Sequence, residues 1–247
     1  MSHIKNPTNI WQSLLICLII IVVFISTIIV TNLLKLDQGI SLLLSGVISF
    51  SIIGVILKKY YYYQPKIQLP SIKSFISIIL LAVFLKFILF IPLTYFELSL
   101  GLFKPSLSSI NLYSFILLII ITPIAEEFIF RDFILKRLMN SKNVIYSILA
   151  SSLIFSLTHL KIQILFETFI LGIILGYIYY KSKNIILCIV FHFIFNLISS
   201  YMVIYYNEVE LSNVKSLFQI YNQYTFIIFL LGAIVIPIFF LKINKSN

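Results

Sequence analysis

Long apolar runs, repeated along nearly the whole chain, leave this sequence one solvent in which to fold. Of its 247 residues, 61% are hydrophobic and 11% are charged, against about a quarter charged in a soluble domain. Runs fall at 11–34, 39–57, 73–95, 111–135, 143–160, 164–180, 184–204 and 219–241. Most approach the roughly 20 apolar residues that cross a bilayer as a helix. Inside lipid each backbone polar group needs a partner within the protein, so a spanning chain is a helix or a closed barrel. Barrel strands are short and alternating, unlike these continuous runs. The expected fold is all-α: a polytopic membrane bundle of about eight transmembrane helices, forming one integral domain over 1–247. Runs five and six are short and closely joined, which predicts a helical hairpin.

The first run is too long for a signal-peptide core and no small-x-small cleavage site follows it, so it is expected to be a retained helix. The two cysteines, Cys17 and Cys188, both lie in apolar runs and are expected to be packing residues, not a disulfide. Net charge is +10, and its distribution gives an orientation. With the N-terminus inside, the inner segments hold twelve basic residues: Lys5, Lys58, Lys59, Lys66, Lys73, Lys136, Arg137, Lys142, Lys181, Lys183, Lys242 and Lys245. The outer ones hold four: Lys35, Lys104, Lys161 and Lys215. The positive-inside rule then predicts a multi-pass protein of the cell membrane with both termini cytoplasmic. The basic residues sit in short loops and form no continuous stripe, so nucleic acid is not an expected partner. The Ile-, Lys- and Asn-rich composition fits an AT-rich bacterial genome. Lysines and tyrosines in the segment 58–73 suit a headgroup-level anchor.

Ionisable groups within the apolar runs concentrate between 120 and 200. An ionisable side chain in a bilayer costs about 2.5–3.5 kcal/mol on insertion scales and usually faces inward with a function. Run four carries Glu126-Glu127 and then Arg131. Adjacent helical residues point roughly 100° apart, so the two carboxylates diverge. Glu127 and Arg131, four apart, share a face and can pair. Glu126 is left as the candidate base for activating water, or as a spare carboxyl beside a structural ion pair. Pro123 is expected to kink the helix beside it. In run five, Phe155 and His159 are four apart; in run seven, so are His192 and Asn196. The last two can donate to one point, as a developing oxyanion needs, ligate a metal, or clamp two helices together. On these boundaries His159 falls toward the outer end and His192 nearer the inside. Lys86 is expected to snorkel or pair with a carboxylate. Glu167 either lines the cavity or merely marks a helix end. Gly172 and Gly176 form a small-xxx-small contact.

Glu-Glu-x-x-x-Arg, Phe-x-x-x-His and His-x-x-x-Asn, in this order on successive apolar runs, resemble the CPBP family. These are intramembrane proteases related to the type II CAAX-prenyl endopeptidases, with bacterial members linked to bacteriocin immunity and peptide maturation. The resemblance covers residues 110–200, the expected catalytic core in helices four to seven. It implies a metalloendopeptidase in which Glu126 activates water with help from His159. His192 and Asn196 would hold the oxyanion or a metal, and Glu127, Arg131 and Phe155 would support the site. A divalent metal, zinc first, would use His159, His192 and one glutamate, since zinc usually takes three protein ligands and a water. No His-Glu-x-x-His is present, so this is not an ordinary zincin. The implied partners are a peptide or membrane-protein substrate and the lipid bilayer. The rival readings are a noncatalytic bacteriocin-immunity binding protein and a proton-coupled transporter, the latter without the inverted repeat such folds show.

Overall fold

In the computed structural model the described residues are 10–91, 112–159 and 162–208. They form seven long helices and no strand, which is the all-helical membrane bundle expected. We number them α1 (Ile10–Leu33), α2 (Gln38–Tyr61), α3 (Ile72–Phe90), α4 (Leu112–Met139), α5 (Val144–Leu157), α6 (Leu165–Ser182) and α7 (Ile185–Glu208). The expected eighth span at 219–241, both termini and the outer loop beyond 208 lie outside the described residues.

Among the described residues, four stretches are long and apolar enough to cross a membrane: Leu15–Leu33, Gln38–Lys59, Ile72–Phe90 and Leu112–Met139. α5 has only 14 residues. Its leucines Leu149, Leu153 and Leu157 are exposed, four apart, along one face. On α1 the exposed side chains Leu15, Leu18, Val22, Ile25 and Ile29 form a similar stripe. Such a stripe would be an aggregation liability in water; in lipid it is the solvent-facing surface.

Local signals set the helix ends. Asp37 Oδ1 accepts from Gly39 N and Ile40 N at 2.9 and 3.2 Å and starts α2. Asn143 Oδ1 accepts from Tyr146 N at 2.8 Å and starts α5. α6 stops at Lys183, which takes the left-handed conformation, φ 52°, and returns its N–H to Tyr179 O at 2.8 Å. α1 and α2 are joined by hydroxyls: Thr27 to Ser49 at 3.2 Å, and Thr31 to Ser41 and Ser45. Without a hydrophobic drive between helices in lipid, such bonds and close backbone approach hold pairs together.

The predicted hairpin is present as α5 and α6, and its glycines act where expected. A Cβ on Gly172 would stand 2.9 Å from Ser152 Cβ and 3.0 Å from its Cα; one on Gly176 would stand 3.1 Å from Ile148 Cγ2. Gly172→Ala is therefore expected to force the helices apart and cost about 1–3 kcal/mol of stability. A lowered melting temperature in detergent checks this, and an unchanged one refutes it.

α4 carries the polar motif and is not a plain α-helix. It passes through π-helical turns at Leu117–Ile121 and Phe128–Leu135. Wide turns of this kind favour functional sites. The first explains how Pro123 is accommodated. Thr122 N–H reaches back five residues to Leu117 O. The next bond of that pattern would run from residue 123 to Leu118 O, but proline has no N–H.

Candidate active site

The orphaned Leu118 carbonyl is met from another helix: Asn196 Nδ2 on α7 donates to it at 2.9 Å. A proline on one helix and an asparagine on another thus complete one broken backbone bond. Leu118 is exposed on an apolar helix, where lipid offers its carbonyl no other donor, so Asn196→Ala is expected to lower stability by about 1–3 kcal/mol. Pro123→Ala in the same background should recover part of it by restoring the N–H. Denaturation of the two variants, with no recovery in the double one, would refute the pairing.

Three residues on α4 and one on α7 make the centre of the site. Glu127 and Arg131 are both fully buried, with Arg131 Nε 3.1 Å from Glu127 Oε2. The pair is an ion contact by distance; its angle is too poor for a hydrogen bond, and the guanidinium nitrogens have no hydrogen-bond acceptor among the described residues. The Arg131 cation instead lies over the Phe155 ring, 4.9 Å from its centroid. A cation on an aromatic face is stabilised more when desolvated.

The other oxygen of Glu127 holds a histidine. His192 Nδ1 lies 2.9 Å from Glu127 Oε1. A carboxylate paired with arginine only accepts, so Nδ1 is the donor. Nε2 faces Glu126, 3.8 Å from Oε2. Glu126 is the more open carboxylate, its side chain 16% accessible against none for Glu127. The diverging directions predicted for the adjacent glutamates are thus what lets them flank one imidazole.

His159 lies just past the end of α5. Its Nδ1 is 3.0 Å from Phe155 O. A carbonyl only accepts, so here too Nδ1 donates and Nε2 is left open. The Phe155 ring meets both histidines edge-on, with centroids 4.9 Å from His159 and 6.0 Å from His192. The difference in depth read from the run boundaries is bridged by this one ring. Phe130 packs on Phe155 at 5.1 Å, and Ser151 Oγ donates to Phe130 O at 2.9 Å, tying α5 to α4.

His192 and Asn196 share a face of α7 yet serve different partners, Glu127 and Leu118 O. Among the described residues no three His, Cys, Asp or Glu side chains come close enough together to hold a metal ion. The expected ligands, His159, His192 and one glutamate, therefore do not converge on one point here.

Lys86 and Glu167 are partners of each other, at 3.2 Å with side chains 6% and 16% accessible. The ammonium also sits 3.9 Å above the Phe195 ring, so this pair ties α3, α6 and α7 together.

Asp132 is a buried residue that the motif reading missed. It accepts from Tyr63 Oη at 2.7 Å, Tyr179 Oη at 2.6 Å and Lys136 Nζ at 2.9 Å. The available signal was an acid inside an apolar run with a lysine four residues later. Burial and the Asp132 carboxylate together push the Tyr63 hydroxyl well above the ordinary tyrosine range, so Tyr63 stays a donor.

The model of one protein family, Type II CAAX prenyl endopeptidase Rce1-like, matches residues 108–198. That interval contains every residue of the site. No curated protein and no solved structure matches the chain.

Proposed function

We propose, from the match of residues 108–198 to the Rce1-like family, that this chain is a membrane endopeptidase using Glu126 as the base for water. The observation that carries this reading is His192 set between two carboxylates of unequal exposure. Glu127, neutralised by Arg131, fixes the ring. Glu126, more open, stands 3.8 Å from Nε2, a gap suited to a water that touches both.

In the proposed step, Glu126 takes a proton as the water oxygen attacks the scissile carbonyl. The electron pair moves to the carbonyl oxygen, which the second hydrogen of Asn196 Nδ2 can meet while the first stays on Leu118 O. His159, its Nε2 open, assists at the water. Glu126 then returns the proton to the leaving nitrogen. No part of this step is assigned to a divalent metal, because His159, His192 and Glu126 do not converge closely enough in this structure to hold one. The substrate is a peptide or membrane-associated protein, cut in peptide maturation or bacteriocin self-immunity. The orientation is that of the positive-inside rule, with both termini in the cytoplasm of a bacterial cell.

The test is cleavage of a peptide library by the purified protein in detergent, with and without a chelator, for wild type and Glu126→Ala. Products from wild type alone support the reading. Loss on chelation, restored by zinc, adds the metal. Equal products from both proteins remove Glu126 from the chemistry. A purely steric immunity protein would protect cells equally well with either residue.

A further inference from the structure

A second polar feature lies at one end of the bundle, beyond Asp132 on α4. A cleft of about 470 Å3 opens there, lined by Lys66, Lys136 and Lys183 together with Asp132, Tyr179 and Asn140. The three lysines come from separate segments: the α2–α3 connection, α4 and the α6–α7 turn.

Each backbone segment is held. The connection carrying Lys66 is pinned on both sides, by Tyr63 on Asp132 at 2.7 Å and by Asn184 Nδ2 donating to Gln68 O at 3.0 Å. Lys183 is the left-handed cap of α6. Lys136 is bound to Asp132. Three ammonium groups facing one cleft repel each other, and Asp132 is the one acid lining it. That carboxylate is already engaged by two tyrosines and Lys136. Among the described residues neither Lys66 nor Lys183 has a carboxylate within ion-pair distance. Partial burial already pulls the Lys183 ammonium below the usual lysine range, so an anion beside it would be welcome. The fold thus collects positive charge where it supplies no matching negative charge.

We propose that this cleft binds the phosphate of an anionic phospholipid headgroup. Lysine is a strong point-charge partner for phosphate. The site sits at the end of the helices where Lys58, Lys59 and Tyr61–Tyr63 also gather, the composition of a headgroup layer. Basic pockets between membrane helices suit such lipids. Met139, Val144 and Ile185 line the same cleft and give the lipid backbone an apolar flank. The proposal does not depend on the protease reading.

Native mass spectrometry of the purified full chain, titrated with phosphatidylglycerol and separately with phosphatidylcholine of the same chains, tests it. Wild type should retain phosphatidylglycerol more tightly. Lys66→Gln and Lys183→Gln should each weaken that binding about fivefold, and the pair about 25-fold, by the usual contribution of one basic residue near an anionic surface. Lys66→Arg should retain it. Lys58→Gln, at the same end but outside the cleft lining, should change nothing. Equal binding of the two lipids overturns the proposal, as does wild-type affinity in the double variant or an equal loss in Lys58→Gln. Displacement by inorganic phosphate at matched concentration also overturns it, in favour of a free-anion site.

Discussion

Glu126→Gln is expected to lower turnover by about 10²–10⁴-fold, the usual contribution of a positioned general base, with stability close to wild type. Glutamine keeps the volume and a hydrogen-bonding end but cannot take a proton. The side chain is part-exposed and 3.8 Å from His192 Nε2, so the change breaks no direct bond. An interaction made only in the transition state lowers kcat and kcat/KM together. A rise in KM with kcat intact would mean that Glu126 binds substrate and does not activate water. The fall in kcat should persist at saturating substrate and across pH, because the neighbouring carboxylate, Glu127, is already bound by Arg131 and His192.

Arg131→Leu is expected to destabilise the fold by about 3–5 kcal/mol, the cost of leaving one partner of a buried pair uncompensated. Both side chains are wholly inaccessible, so water cannot take over from the lost charge. Removing both charges, with Glu127→Leu added, should recover a large part of the loss, since apolar replacements of a buried pair are often neutral or better. The coupling from this double-mutant cycle, read by denaturation in detergent, is the quantity to compare. The double variant should still be a poor enzyme, because nothing would then hold His192 Nδ1. Additive losses would mean that the pair is not what stabilises this part of α4.

Much of the site was legible because its parts are helix-local. Glu127 and Arg131, four apart, meet as spacing predicts. Gly172 and Gly176 meet the neighbouring helix as a small-xxx-small pattern predicts. Lys86 was expected to snorkel or to pair with a carboxylate; it pairs, and spacing could not name Glu167, 81 residues away. Asp132 escaped notice because its partners, Tyr63 and Tyr179, lie 69 and 47 residues off. Asn196 was legible as a polar group facing inward. Its partner was not, since that partner is a backbone carbonyl released by Pro123 on another helix.

By itself the sequence determined that the chain is a helical membrane bundle and which residues are too polar to face lipid. Both follow from transfer free energy, which each segment feels alone: apolar runs of this length must be helical in a bilayer, and charges there must turn inward. Tertiary structure alone decided which nitrogen of His192 meets which glutamate, how Phe155 links two histidines, and where three lysines share a cleft. Those are matters of which helix lies opposite which, at what depth and rotation. Side-chain period fixes the face a residue occupies on its own helix and carries no information about the partner across from it.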